Sequence, residues 1–137
     1  PLEFRVVGFT DRDEELRATG RVHVSGPYEE ADLPRLIARA RCHLALFPAV
    51  WPETHCYTLS AAFENRVYPV AFDLGAVAER IRDLGWGELL PMETSAAAIN
   101  DYLLAVDPPP FPAPCAAERL DVVYDDFLRD YYDGLSL

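Results

Sequence analysis

The 137-residue chain is 50% hydrophobic and carries 23 acidic against 12 basic residues, which leaves a formal net charge of -11. This length and apolar content are sufficient for one compact domain with a buried core, and we predict a single domain over residues 1–137. Because the net charge has the wrong sign for neutralising a phosphate backbone, nucleic acid is not expected as a partner.

The types of basic and sulfur-containing residues exclude several further classes. All 12 basic residues are arginines, so a P-loop, a Schiff-base enzyme and a phospho-receiver domain, which need a lysine, are excluded. Cys42, Cys56 and Cys115 are odd in number and widely spaced, which indicates neither a disulfide framework nor a zinc site. We therefore expect no metal or other cofactor, and a reducing, cytoplasmic location. No apolar run reaches the roughly 18 residues that a membrane span needs.

Short apolar runs rich in β-branched and aromatic residues alternate with helical patterns along the chain. The predicted strands are 4–7, 22–24, 42–47, 68–72 and 88–90. The predicted helices are 13–18, 33–40, 57–65 and 76–84, with a further one from about 95 to 105. Such alternation predicts βαβ units, whose right-handed crossovers place helices on both faces of a parallel sheet. The expected fold is α/β, a three-layer Rossmann-like parallel sheet of about five or six strands with C-terminal helices.

A proline-rich connector at 107–114 cannot continue the preceding helix, so the chain must change direction there. Beyond it, a final amphipathic helix is predicted at 116–133. Its apolar stripe consists of Leu120, Val123, Tyr124, Phe127 and Tyr131. Packing on its own domain and packing against a second domain both remain open for this helix.

The loop between the third predicted strand and the third predicted helix carries the chemistry. In an open parallel sheet, ligands bind at the carboxyl ends of strands, and the following helix offers N–H groups and a positive dipole end to an anion. The amides around Tyr57 and Thr58 are therefore placed to face a diphosphate. The carboxylate of Glu53, in the same loop, is suited to accept hydrogen bonds from sugar hydroxyls. One loop is thus predicted to bind both halves of a nucleotide sugar.

The residues of this loop and of the next strand–helix turn resemble a known family. The stretch Phe-Pro-Ala-Val-Trp-Pro-Glu-Thr-His-Cys-Tyr-Thr-Leu-Ser at 47–60, followed by Ala-Phe-Asp-Leu-Gly-Ala-Val-Ala-Glu-Arg at 71–80, is similar to the donor-site core of the retaining GT-B glycosyltransferases of group 1, or family 4. Weaker similarity extends over 6–10 and 24–28. The resemblance implies a C-terminal, donor-binding domain that transfers a sugar from a nucleotide diphosphate sugar. It also implies an N-terminal acceptor domain in the same protein, without which this piece is expected to be inactive.

The family motif in this loop is a glutamate, seven residues and a second glutamate, which contact the donor sugar and the ribose hydroxyls respectively. Glu53 matches the first position, whereas Ala61 occupies the second, and Glu64 lies about one helical turn further on. Since Ala61 offers no acceptor, the resemblance implies nucleoside binding weakened by about 1–3 kcal/mol where a buried hydroxyl goes unpaired.

The resemblance and the loop positions together assign four groups of site residues, none of them catalytic. The donor sugar is assigned to Glu53, Thr54 and His55, and the phosphates to Cys56, Tyr57 and Thr58. The nucleoside side is assigned to Gly26, Pro27, Tyr28, Ala61 and Glu64, and the rest of the pocket to Gly8, Asp73 and Gly75.

Several assignments have a simpler interpretation that the sequence leaves open. In this interpretation, Glu53 only interacts with the dipole of the third predicted helix and Thr54 is the N-cap of that helix, while Asp73 caps the next one. Arg80 and Arg82 either compensate phosphate or lie on a solvated helix face. At the level of function, the alternative is a degenerate, non-catalytic α/β module that acts in domain or protein assembly, an interpretation that Ala61 at the second motif position favours.

Overall fold

The computed structural model describes residues 2–112, so Cys115 and the predicted helix 116–133 lie outside the described residues. Five strands and five α-helices alternate within this range, with one 3-10 turn before the second helix. In chain order they are β1 (Phe4–Val6), α1 (Asp13–Ala18), β2 (Val22–Val24), the 3-10 turn (Glu30–Asp32), α2 (Leu33–Ala40), β3 (Leu44–Phe47), α3 (Tyr57–Glu64), β4 (Tyr68–Phe72), α4 (Gly75–Leu84), β5 (Glu88–Leu90) and α5 (Ala96–Ala105).

The predicted α/β class with parallel strands is confirmed, whereas a clear single sheet of five or six strands is not seen in the described residues. The strands form two parallel sheets, one with the order β1-β2 and the other with the order β3-β4-β5. Phe4 pairs with Val22 in the first sheet, and Leu44 with Tyr68 in the second. Hydrophobic patterns identify strands one at a time and carry no information on which edges pair, so the division escaped prediction.

The hydrophobic core is built around the second sheet. The first four residues of β4 are buried on both faces of the strand, as expected for the central strand of a parallel sheet. α3 contributes Leu59 and Phe63 to this core, and α4 contributes Val77 and Ile81. The main core residues are Leu59, Phe63, Val70, Val77, Ile81 and Trp86. Leu2, which precedes β1, and Phe4 in β1 pack against this cluster, so β1 is joined to the core through side chains.

Trp86 ties the described part of the proline-rich connector to the core. Its indole Nε1 donates a hydrogen bond to the Pro109 carbonyl oxygen at 3.0 Å, and its ring meets Phe111 edge-on at a centroid distance of 4.7 Å. The described part of the connector therefore packs on the domain, and its prolines predicted only that the chain changes direction there. None of the helices within residues 2–112 has the length and apolar character needed to traverse a bilayer.

Candidate functional site

A cleft of about 620 Å³ opens where β1 and β2 end and faces the first turn of α3. Its walls combine the loops that follow these two strands with the start of the helix. The lining residues are Val7, Gly8, Phe9, Pro27, Tyr28, Glu30, Leu33, Tyr57 and Thr58. Five of them, Gly8, Pro27, Tyr28, Tyr57 and Thr58, belong to the predicted site. The structure thus brings together residues that lie up to 50 positions apart in the chain.

Backbone geometry at Gly8 and Gly26 shapes the side of the cleft formed by the two-stranded sheet. Gly8 has a φ of +124°, a conformation that only glycine adopts readily. Its N–H donates to Ser25 Oγ at 2.9 Å, and its carbonyl oxygen accepts from the Gly26 N–H at 2.9 Å. A Cβ at Gly8 would lie 3.6 Å from Tyr28 Cε1. These bonds fix the two loops to each other and place the Tyr28 ring beside the cleft floor.

The opposite wall is the N-terminal turn of α3. Cys56 is the N-cap residue with an extended backbone, and no side chain caps this helix. Tyr57 and Thr58 are both exposed and form the first turn, where the N–H groups and the helix dipole favour a negative charge. The helix therefore presents an anion-attracting end to the cleft.

Cys56 and His55 lie directly before α3, and burial shifts the pKa of both groups. Cys56 is 5% exposed, and burial raises the pKa of its thiol, to which the Glu53 carboxylate adds a smaller contribution. The His55 ring meets Tyr57 edge-on at 4.6 Å. Burial, together with the charge of Arg80, lowers the pKa of His55. Both groups are therefore predominantly neutral at pH 7. The part of the chain from 2 to 112 contains no cluster of three or more acidic, His or Cys side chains fit to hold a metal.

Glu53 is anchored through its backbone to the start of α4. Its carbonyl oxygen accepts a hydrogen bond from the Ala76 N–H at 3.2 Å. Gly75 has a φ of +62°, and a Cβ there would lie only 3.0 Å from Pro52 Cα. The loop after β3 therefore rests on the turn after β4, so Glu53 and Gly75 are brought together. Glu53, Thr54 and Gly75 nevertheless lie outside the cleft lining.

The simpler capping interpretations of Thr54 and Asp73 are wrong. Helix α3 begins after Cys56, and α4 has Leu74 as its N-cap, with no side-chain cap at either helix. Asp73 instead forms an exposed ion pair with Arg82. For Arg82, the interpretation as a solvated helix-face residue is thus confirmed.

Arg80, two residues earlier, turns inwards and connects α4 to α3. Its Nη1 donates to the Cys56 carbonyl oxygen and its Nη2 to Ser60 Oγ, each at 2.8 Å. The guanidinium also lies over the Phe63 ring, 5.9 Å from the centroid. Burial lowers the pKa of Arg80 from its usual value without discharging it. The solvated-face interpretation is therefore wrong for this residue.

Ala61 and Glu64 stand apart from the other predicted nucleoside residues. Ala61 is 5% exposed and faces the core, whereas Glu64 is exposed at the last position of α3. Neither lines the cleft, although Pro27 and Tyr28 do. Four of the lining residues were not predicted from the sequence, namely Val7, Phe9, Glu30 and Leu33. Phe9 could have been predicted, because it lies just after a strand. Leu33 could not, because its approach to the cleft depends on how the α2 segment folds back.

Comparisons with protein-family models, with curated proteins and with solved structures found no match to this chain. The geometry of the cleft and the residues around it therefore form the basis for assigning a function.

Proposed function

We propose that this chain binds a nucleotide diphosphate sugar in the cleft and is the donor-binding part of a retaining glycosyltransferase. The observation that carries this proposal is the placement of the first turn of α3 across the cleft from the loops after β1 and β2. Ligands of open α/β folds bind at the carboxyl ends of parallel strands, and phosphates bind at helix N-termini. Both features meet here in one cavity, whose volume is within the usual range for small-molecule sites.

The lining chemistry fits a nucleoside and a sugar better than a free polyanion. Phe9, Tyr28 and Tyr57 offer three aromatic faces for stacking on a base or a sugar ring. Thr58 and Glu30 supply a hydroxyl and a carboxylate for ligand hydroxyls. The part of the lining that belongs to residues 2–112 contains no arginine. We therefore assign the neutralisation of the diphosphate mainly to the N–H groups and dipole of α3.

The wider assignment follows the resemblance of 47–60 and 71–80 to the family-4 donor site. Glu53, Thr54 and His55, which lie outside the cleft lining, are proposed to contact the donor sugar from the loop between β3 and α3, with no metal or other cofactor. Transfer then requires an acceptor-binding domain that contributes the other half of the active site. We further propose that the two small sheets are parts of one Rossmann-like sheet in the complete protein. The free thiols of Cys42 and Cys56 fit a cytoplasmic location.

Calorimetric titration of the 137-residue chain with UDP-, GDP- and ADP-glucose tests this proposal. We expect saturable binding of one of them, competed by the corresponding nucleoside diphosphate. Phe9→Ala removes an aromatic face from the cleft and is expected to weaken binding about tenfold. Leu104→Ala is the matched control, since both side chains are large, apolar and exposed, by 68% and 61% respectively, and only Phe9 lines the cleft.

Equal affinities of the Phe9→Ala and Leu104→Ala chains would place any binding outside this cleft. A well-folded chain that releases no heat with any of the three donors contradicts the donor-binding proposal as a whole.

A second function, a non-catalytic module for assembly with partner domains, is favoured by the buried position of Ala61. The ribose acceptor expected there is replaced by a core methyl group. Phe9, Val50, Trp51 and Tyr57 are also large, apolar and exposed in the segments that follow β1 and β3, where a partner domain would find apolar surface. Binding of a donor sugar by the isolated chain would argue against this alternative.

A further inference from the structure

We propose that Arg80 is a positioning residue that holds the first turn of α3 in place at the wall of the cleft, although Arg80 itself does not line it. Ligand contacts at Tyr57 and Thr58 would then depend on a side chain carried by a different helix. The dependence of ligand binding on Arg80 rests on the proposed function, whereas the effect on the helix does not.

The two hydrogen bonds of Arg80 span one helical turn. Cys56 is the N-cap residue of α3 and Ser60 lies four residues later, so the guanidinium joins the start and the end of the first turn. The backbone bond that closes the same turn, from the Ser60 N–H to the Cys56 carbonyl oxygen, is long at 3.4 Å. With no side-chain cap on this helix, the first turn relies on Arg80 for its reinforcement.

The surroundings of Arg80 are selective for a guanidinium. Within residues 2–112, no carboxylate forms an ion pair with it, whereas the neighbouring Arg82 pairs with Asp73. A half-buried cation without a counter-charge must be stabilised by neutral acceptors and by an aromatic face. The Cys56 carbonyl, the Ser60 hydroxyl and the Phe63 ring supply these contacts. A lysine retains the charge but lacks the planar fork that reaches two acceptors at once.

Amide hydrogen exchange of the full chain, measured by mass spectrometry without any ligand, tests the effect on the helix. In Arg80→Met, we expect exchange in a peptide covering 55–63 to become at least about tenfold faster, because the first turn opens locally. Arg82→Met, on the same helix and outside the cleft, is expected to leave this peptide unchanged. Arg80→Lys should give an intermediate rate. Ser60→Ala removes one of the two acceptors of Arg80. Combined with Arg80→Met, it should accelerate exchange in 55–63 little further.

Titration of the same variants with the nucleotide sugar that binds the parent chain most tightly tests the link to the cleft. We expect Arg80→Met to weaken binding by about tenfold, with partial rescue in Arg80→Lys and no change in Arg82→Met. Faster exchange in 55–63 together with a parent chain that binds no nucleotide sugar would sustain the positioning role and contradict the proposed function.

Two results would overturn the proposal. One is an unchanged exchange rate at 55–63 in Arg80→Met. The other is an acceleration shared equally by a peptide covering 68–72, since that pattern reports loss of global stability. Should Arg80→Met fail to fold, Arg80→Lys and Ser60→Ala decide the matter, and wild-type exchange and binding in both would refute the proposal.

Discussion

The two sheets of this chain differ sharply in how they are stabilised. Among residues 2–112, every buried hydrophobic side chain except Leu33 lies between residues 56 and 103, in or around the three-stranded sheet. The two-stranded sheet has strands of three residues each, and its helix α1 buries none of its residues. Free energy of folding is therefore concentrated in the three-stranded part, and the two-stranded part depends on it.

The cleft lies between these unequal regions. Tyr57 and Thr58 belong to a helix whose next turn is in the core, whereas Gly8 and Tyr28 belong to loops held mainly by backbone bonds and by Ser25. A ligand that touches both walls would restrict the softer region. Mutations of similar size should therefore have very different effects on stability in the two regions.

The largest effect is expected for Phe63→Ala. Phe63 is 2% exposed in the centre of the core, and truncating such a ring leaves a cavity that lowers the free energy of unfolding by about 3–5 kcal/mol. Phe9→Ala, in the two-stranded region, is expected to change it by less than about 0.5 kcal/mol. Urea denaturation of both variants measures the difference. Comparable losses would show that the two regions share the stability equally.

The next largest effect is expected for Ala61→Glu. The motif that 53–61 resembles has a glutamate at this position, but Ala61 is 5% exposed and faces the core. A carboxyl group introduced there is expected to lower the free energy of unfolding by at least about 2 kcal/mol, with no gain in donor affinity. Ala97→Glu adds the same group at an exposed position of α5 and serves as the control. A tighter-binding Ala61→Glu chain of normal stability would show that this side chain reaches the cleft.

Local pattern was sufficient to predict the elements, because periodicity and strand-rich runs are properties of neighbouring residues. The bounds of α1 and α2 agree with the predicted ones at both ends, and the other helices agree within one residue. Pairing of strands is a long-range property, and nothing in the residues of β1 or β3 specifies their partner. The division into two sheets therefore had to come from the structure.

The candidate site was predictable to a similar extent. Gly8, Tyr28 and Thr58 were recognised because strand ends and helix starts are marked in the sequence, and they line the cleft. The role of Arg80 was not recognisable, since its partner Cys56 is 24 positions away. The resemblance to a family motif did not predict that Ala61 is buried, because the type of residue at a motif position does not show whether its side chain faces the core.

The contact between Gly75 and Pro52 offers a smaller, geometric test within the three-stranded region. Gly75→Ala places a methyl group 3.0 Å from Pro52 Cα, where neither backbone can easily move. Gly20→Ala, in the two-stranded region, has a similar φ, +70° against +62°, but meets nothing within 4 Å. Both changes carry the strain of a left-handed alanine, about 1 kcal/mol. We expect Gly75→Ala to lower the free energy of unfolding by about 1–2 kcal/mol more than Gly20→Ala does, as measured by thermal denaturation. Equal losses in the two variants would contradict the close approach of Gly75 to Pro52.

The smallest expected effect concerns the pH dependence contributed by His55. Its pKa is lowered in the folded chain, mainly by burial and also by Arg80, from its ordinary value of 6.5. The unfolded chain therefore binds the proton more tightly, so this contribution to stability is fully present above pH 6.5 and is lost as the pH falls towards the folded pKa.

His55→Gln removes that contribution. The difference in unfolding free energy between the parent and His55→Gln chains should accordingly shift against the parent as the pH is lowered from 7.5 to 5.5. A parent chain that gains stability relative to His55→Gln on acidification would mean that the imidazolium is favoured in the fold, and that burial next to Arg80 does not govern this histidine.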